Sequence, residues 1–301
     1  MNNLLGFSKQ AIASLVCQID GLPLAVKFVD CGSDEVITDG CLLCPLGHDY
    51  EIKSGILNLL RSQPPLNELV LTEKVARDNF AGSYDSKLFS RYDKEIPSTL
   101  NNVGNLRGKR CVEYGCGTGR ITSHLTDAKV LVAVDFSVES LRILSAKLKG
   151  RINIGLVVAD VAHLKTRANF FNVAVSAQVF EHLPTAKLRQ EFLGNVSKTL
   201  ITGGWLVLTA YYFDLRRRLS GGPQEGKHHS GIFYHYFTQA EIIEEFSRQL
   251  KIEKLKPIDI TLPFESRLGL NKLCGGVISR LVERIPGLRN LGHLILVKAV
   301  K

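Results

Sequence analysis

One stretch constrains the fold of this chain more than any other: Val112-Glu-Tyr-Gly-Cys-Gly-Thr-Gly-Arg120. The run Arg110 to Tyr114 suits a buried parallel strand and delivers an acidic residue, then glycines at Gly115, Gly117 and Gly119. Glycines there let the backbone turn sharply and let a ligand approach where any Cβ would collide. The segment that follows, Ile121 to Leu125, reads as the first turn of a helix. Strand, glycine loop and helix in that order make a nucleotide-type site. The spacing is G-x-G-x-G, out of register with the G-x-G-x-x-G that cradles a pyrophosphate, and no lysine followed by serine or threonine completes a P-loop. A carboxylate at Glu113, just before the first glycine, repels phosphate and suits a ligand with an ammonium or sulfonium group. Taken alone, a glycine-rich loop fits an ordinary α/β turn equally well; the downstream residues decide.

S-adenosylmethionine (SAM) carries both cationic groups and no phosphate. A second apolar run, Val130 to Val134, ends at Asp135, 20 residues beyond Gly115, where an acidic side chain holds ribose hydroxyls. A third, Ile152 to Val158, leads to Asp160-Val161, where a carboxylate can accept an adenine amino group while its neighbour packs on the ring. A fourth, Phe171 to Ala177, precedes Gln178-Val-Phe-Glu-His182-Leu-Pro184, and Thr202-Gly-Gly204 turns into a fifth, Trp205 to Ala210. This ordered set resembles the class I SAM-dependent methyltransferases, over residues 66–301. The resemblance implies an α/β fold with a seven-stranded, doubly wound, mostly parallel Rossmann-like sheet. It implies that Glu113, Gly115, Gly117 and Gly119 line the methionine part of SAM, that Asp135 binds the ribose with Phe136 beside it, that Asp160 and Val161 face the adenine, and that Gln178 sits near the cofactor. Phe80-Ala-Gly-Ser-Tyr84 resembles the segment that covers the SAM carboxylate, with Tyr84 and Arg91 as candidates for that contact.

The 301 residues, 45% apolar and 22% charged, suit an ordinary globular core, and no apolar run is long enough to span a bilayer. The first residues lack the apolar core and small-residue cleavage site of a signal peptide. The odd count of seven cysteines, scattered through α/β elements, points to a reducing compartment and a cytoplasmic protein. The net charge of +9 admits nucleic acid, acidic lipid or an anionic substrate. It concentrates in Arg216-Arg-Arg218 and in the C-terminal third (Lys251, Lys254, Lys256, Arg267, Lys272, Arg280, Arg284, Arg289), where a solvated basic face is the plainer reading.

Residues 1–62 stand outside the doubly wound pattern. They hold Cys17, Cys31, Cys41, Cys44 and His48; Cys41-Leu-Leu-Cys44 is a C-x-x-C pair, and His48 shares its turn. Cys and His together suit tetrahedral zinc. Tyr50 to Leu60 alternates and turns at Ser54-Gly55 like a β-hairpin. The run Cys44-Pro-Leu-Gly-His48 through Leu60 resembles the zinc-ribbon leader of ribosomal-RNA guanine methyltransferases. That resemblance leaves two alternatives: a structural zinc held by Cys31, Cys41, Cys44 and His48, with Cys41 replacing the ligand missing at Phe28, or a small β-rich ribbon that has lost its metal. Arg61-Ser-Gln-Pro-Pro65 reads as the linker to the 66–301 domain.

Helical stripes Val138, Leu141, Leu144, Leu148 and Leu188, Phe192, Val196, Leu200 belong to the core, and Thr238-Gln-Ala-Glu241 forms a capping box. The segment Leu268 to Leu291 fits an amphipathic lid, a membrane-surface helix or, more simply, a peripheral helix. Two histidines are candidate general bases: His182, after the fourth strand, which could equally brace that loop, and His235, in the Lys227-His-His229 to Tyr234-His-Tyr236 insertion that by analogy roofs an acceptor pocket. His228, His229, Tyr234 and Tyr236 share that insertion. The leading expectation is a SAM-dependent methyltransferase acting on a small-molecule oxygen in a biosynthetic pathway. An RNA guanine-type base methyltransferase is second, and a SAM-binding partner module without turnover is third.

Overall fold

The computed structural model describes residues 5–30, 35–260, 279, 281–282, 285 and 288–301; the side chains of Asp30, residues 84–93 and Arg289 lie outside that description. The chain opens with β1 (Phe7–Ser8), the single turn α1 (Lys9–Ile12), β2 (Ala25–Asp30), β3 (Val36–Ile37), β4 (Asp39–Leu43), β5 (Asp49–Lys53) and β6 (Ile56–Asn58). There follow α2 (Glu68–Val103), β7 (Arg110–Tyr114), β8 (Val130–Asp135), α3 (Val138–Lys147), β9 (Ile154–Val158), β10 (Phe171–Ala177), α4 (Ala186–Thr199) and β11 (Leu200–Tyr211). The last elements are α5 (Leu215–Leu219), β12 (Glu225–Lys227), β13 (Phe233–His235), α6 (Gln239–Phe246), β14 (Lys251–Ile260) and β15 (Gly292–Val300).

Strands β9, β8, β7, β10 and β11 lie side by side in parallel, and β15 and β14 complete one edge antiparallel. This is the seven-stranded, doubly wound Rossmann-like sheet expected from the sequence. Strand β8 shows why its two faces are covered. Val130, Val132 and Val134 join one core with Phe192 and Val196 of α4 and Ile242 and Phe246 of α6. Leu131 and Ala133, pointing the other way, join a second core with Leu141 and Leu144 of α3. The helices begin where short polar side chains accept orphan N–H groups: Ser137 caps α3, Thr185 caps α4, and Thr238 with Glu241 closes the expected capping box on α6.

Most of the N-terminal strands join the sheet of the residues that follow. Strand β6 pairs in parallel with β9, so β6, β5, β4 and β2 extend the same sheet to 11 strands. Phe7, Ala11, Leu15 and Tyr50 pack in one core with Val112 and Val134. The expected hairpin at Ser54-Gly55 joins β5 to β6 with both residues at positive φ, and a Cβ on Gly55 would lie 1.9 Å from the Leu5 carbonyl oxygen. After the glycine loop, Ile121 to Leu125 makes a single 3₁₀ turn, Thr122–His124, in place of a helix. Among the described residues no helix is long and apolar enough to cross a membrane. Of the segment 268–291, only Ser279, Leu281, Val282, Ile285 and residues 288–291 are described, so the lid expectation, with Arg280, Arg284 and Pro286-Gly287, falls outside the described residues, as do Arg267 and Lys272.

Candidate active site

The chain runs outward from β7 to β8 and β9, then returns to β10 on the far side of β7, so the strand order reverses between β7 and β10. Ligands of open α/β sheets lie in the crevice at the carboxyl ends of such a pair. Here that crevice is a cavity of about 330 Å³, walled by Glu113, the glycine loop, Asp135, Phe136, Val161, Gln178 and Val179. Gly115, Gly117 and Gly119 all take positive φ; a Cβ would meet Val179 at 2.2 Å on Gly115 and Leu144 at 2.2 Å on Gly119, while Gly117 has open space. The Gly117 and Ser137 N–H groups each donate to one oxygen of Asp135 at 2.8 Å, which ties the loop to the second strand tip.

Glu113 is buried and one of its oxygens has no hydrogen-bond partner. Burial pushes its carboxyl up to about 8, and the Asp135 carboxylate adds to the rise. Burial raises Asp135 as well, against the two N–H groups that favour its charge. Two buried acidic groups, one of them with an unpartnered oxygen, suit a cationic ligand and disfavour phosphate. The residues therefore fit SAM: Glu113 and the loop would hold its methionine part, Asp135, with Phe136 beside it, its ribose, and Val161 its adenine.

Gln178 is one of the few non-glycine residues at positive φ (57°), a strain of about 1–3 kcal/mol. Its N–H donates to Thr209 O at 3.0 Å and its amide to Glu95 at 2.6 Å. Glu95, 1% exposed, also accepts from Thr209 Oγ1 at 2.6 Å and pairs with Arg120. The N-terminal half of α2 covers the cavity with Glu73, Arg77, Phe80, Ala81 and Ser83. Arg77 pairs with Glu73 at 3.0 Å, and burial lifts the Glu73 carboxyl to about 7 against that pairing. The sequence reading missed Glu73, Arg77, Glu95 and Arg120; only Arg120, directly after the glycines, carried a sequence signal. Tyr84 and Arg91 fall in the part of α2 whose side chains lie outside the described residues.

Asp160 does not lie on the cavity wall; Val161 does. The Asp160 carboxylate accepts from Ala162 N–H at 3.0 Å and meets His163 Nδ1 at 2.7 Å. Its main chain is gripped from the N-terminal side: Gln63 accepts from Asp160 N–H at 2.8 Å and donates to Asp160 O at 3.1 Å. Of the proposed metal ligands, Cys31 lies outside the described residues, and the Cys41 thiol is buried and directed at Leu42 O. Cys44 and His48 meet Cys17 and Asp20 instead.

The two candidate histidines part company. His182 is buried, and its Nδ1–H donates to Phe233 O at 2.7 Å, which leaves Nε2 as a lone-pair acceptor. Burial, with Arg77 nearby, pushes it down to about 3, so it stays neutral. Its ring meets Tyr211 at 5.8 Å and His228 at 6.3 Å, within a cluster that includes Tyr234, Tyr236 and His293. His235 follows Tyr234 on β13 and so faces the other way, with Nδ1 and Nε2 each 3.4 Å from Glu225 and Glu241. His229 is exposed. The turn joining β12 and β13 places Ser230 and Ile232 on the cavity wall.

Residues 112–208 match the family model described as a methyltransferase domain. An uncharacterised methyltransferase of Anoxybacillus flavithermus is 29% identical over 158 residues, covering 50% of this chain and 72% of that protein. The tRNA (carboxymethyluridine(34)-5-O)-methyltransferase of Arabidopsis thaliana is 23% identical over 158 residues, covering 52% of this chain and 36% of its own length. Among solved structures, an S-adenosylmethionine-dependent methyltransferase from Mesorhizobium loti shares the fold with a TM-score of 0.51 at 18% identity, over 68% of this chain and 96% of its own.

Proposed function

We propose that this SAM-dependent methyltransferase passes its methyl group to the oxygen of a small-molecule acceptor in a biosynthetic pathway. The observation that carries the reading is the roofed cavity. Helix α2 and the β12–β13 turn both close over it, with Gly231 packed near Thr72 of α2. Bound SAM supplies a methyl group already activated on sulfonium, so the protein's task is alignment and exclusion of water. Roof and strand tips do both. His182 follows the wall residues Gln178 and Val179 without being part of the wall itself, and in this reading its Nε2 accepts a hydrogen bond from the acceptor hydroxyl. An alkylated hydroxyl is a far stronger acid than imidazolium, so even this weakly basic imidazole takes the proton as the new C–O bond forms. His235, held between two carboxylates, braces the start of α6. Five free, buried thiols among the described residues support a reducing, cytoplasmic setting.

Two observations favour RNA as the second reading: the tRNA-modifying relative, and the α5 arginines beside the aromatic cluster, where Arg217 stacks over Tyr236 at 3.6 Å. Incubation with methyl-labelled SAM and fractionated cell extract separates them. Label is expected in the small-molecule fraction; label in RNA, with a salt-dependent gel shift, would give the second reading the place of the first. Tight SAM binding with no transfer to either fraction would leave the binding module.

A further inference from the structure

We infer that Cys17, Asp20, Cys44 and His48 form a structural zinc site, and that this site holds one wall of the cofactor cavity. The second half rests on the reading of that cavity as the SAM site.

Two similar turns meet here, the first one residue longer than the second. In Cys17-Gln-Ile-Asp20-Gly21, the Cys17 N–H donates to Leu22 O at 2.8 Å and the Gly21 N–H returns to Cys17 O at 2.9 Å. In Cys44-Pro-Leu-Gly47-His48, the Cys44 N–H donates to His48 O at 2.9 Å and the Gly47 N–H returns to Cys44 O at 3.0 Å. Gly21 and Gly47 both take the left-handed conformation that closes such a turn (φ 76° and 90°). Each turn points two donor atoms at the other, and the four atoms lie within 4.8 Å of one another. His48 Nδ1 is 2.9 Å from Asp20 Oδ2 and 3.4 Å from each sulfur, and the Cys44 sulfur is 3.2 Å from Asp20 Oδ2. Zinc bond lengths give a tetrahedron with edges of about 3.3–3.8 Å, so a small outward movement of the donors admits the ion.

The surroundings aim these atoms inward. Asp20 Oδ1 accepts the Leu22 N–H at 2.8 Å, which turns Oδ2 to the centre. The Tyr50 hydroxyl accepts the Gln18 N–H at 2.9 Å and lies 3.0 Å from the Cys17 sulfur, so its own hydrogen is free to support a thiolate there. Both cysteines are buried, while the His48 side chain, 35% exposed, leaves a path for the ion. The Cys44 thiol donates to Asp20 Oδ2, and a cation that displaced that proton would meet two sulfurs, one nitrogen and one oxygen, a donor set that suits zinc. The protein fills all four positions, which makes the site structural rather than catalytic.

The consequence for the cavity runs through Gln18, the residue after Cys17. Its side chain donates to Lys165 O and accepts from Lys165 N–H, both at 2.9 Å. Gln63 grips Asp160 in the same two-way manner. The loop between these anchors carries Val161, part of the cavity wall.

The test uses the full chain, purified without chelator. Elemental analysis is expected to find one zinc per chain, and cobalt substitution to give the visible bands of a tetrahedral, thiolate-bound ion. Asp20→Asn, the variant that disturbs folding least, and Cys17→Ser should lose most of the metal or shift those bands, whereas Cys41→Ser should keep them. Absence of zinc and of cobalt uptake in the wild type, or metal lost from Cys41→Ser and retained by the other two, would overturn the site. Stripping the metal should weaken SAM binding by about tenfold in calorimetry. Equal affinity with and without metal would remove the coupling and leave the site. A zinc-loaded chain that binds no SAM at all would overturn the cofactor reading alone.

Discussion

At the scale of single residues, burial moves Glu113 and His182 away from the ordinary range of their types, in opposite directions. Glu113 is neutral over most of the physiological range because burial lifts its carboxyl to about 8. A cationic donor beside it favours the carboxylate, so binding should expel a proton below pH 8. Affinity for SAM is then expected to rise as pH climbs toward 8 and to level off above it. Calorimetry in buffers of different ionisation enthalpy reads that proton directly. Glu113→Gln should abolish the release and weaken binding at pH 8 by about 10- to 100-fold, the loss of a charged hydrogen bond of about 1.5–3 kcal/mol. His182 errs the other way. Held near 3 by burial, it has no proton to lose between pH 5 and 8. Removal as His182→Ala should cut kcat by about 100-fold at unchanged SAM affinity, and the wild-type rate should show no limb with a midpoint of 6 to 7 that the variant lacks. Such a limb would return His182 to the role of an ordinary base. Neither behaviour follows from residue type; each depends on burial that only the folded sheet creates.

At the scale of elements, the strands were the legible part, because apolar runs between glycine and aspartate punctuation mark a buried parallel strand with little ambiguity. Strands β7 and β10 run over the residues read from the sequence. Helix α2 was not legible. Its C-terminal half turns Ile96, Leu100 and Val103 to the sheet, while its N-terminal half offers polar groups to the cavity and leaves Leu71 and Val75 exposed, so no single stripe runs along it. Gly82 and Pro97, residue types that disfavour a helix interior, lie inside it. The metal ligands were hidden for another reason: which thiols meet is set by the β2–β4–β5 meander, and Asp20 belongs to no cysteine pattern. Asp160 was read as a cavity residue from its position after β9, but its loop curls its carboxylate onto Ala162 and His163. That loop yields the prediction proper to this scale. Gln63→Ala strips both partners from the main chain of Asp160, a residue 4% exposed. An unmet buried polar group costs about 1–3 kcal/mol. Urea unfolding should show a loss of that size, and SAM binding should weaken several-fold; an unchanged SAM affinity would mean that the loop keeps its shape without the clamp.

At the scale of the molecule, the sheet decides how the protein comes apart. Composition and cysteine pattern divide the chain near residue 62, yet β6 hydrogen-bonds to β9, Leu59 N–H reaches Val158 O at 2.9 Å, and one apolar core joins Phe7 and Tyr50 to Val112 and Val134. Loss of the N-terminal residues would uncover the edge of β9, a fully buried strand of Ile, Gly, Leu and Val, and bare strands of that kind pair with other chains. A unit whose core is shared across its sequence boundary should unfold as one. Two native probes sit on opposite sides of that boundary: Trp205 on β11, and the buried thiols of Cys17 and Cys44. With metal content held constant, Trp fluorescence and labelling of Cys17 and Cys44, read site by site by peptide mass mapping, are expected to report the same urea midpoint and the same slope. The slope should be that of a chain of this length, since it scales with the surface exposed. Thiols that open at lower urea than the tryptophan would show the N-terminal strands to be a separable unit, docked on the sheet but not part of its cooperative core.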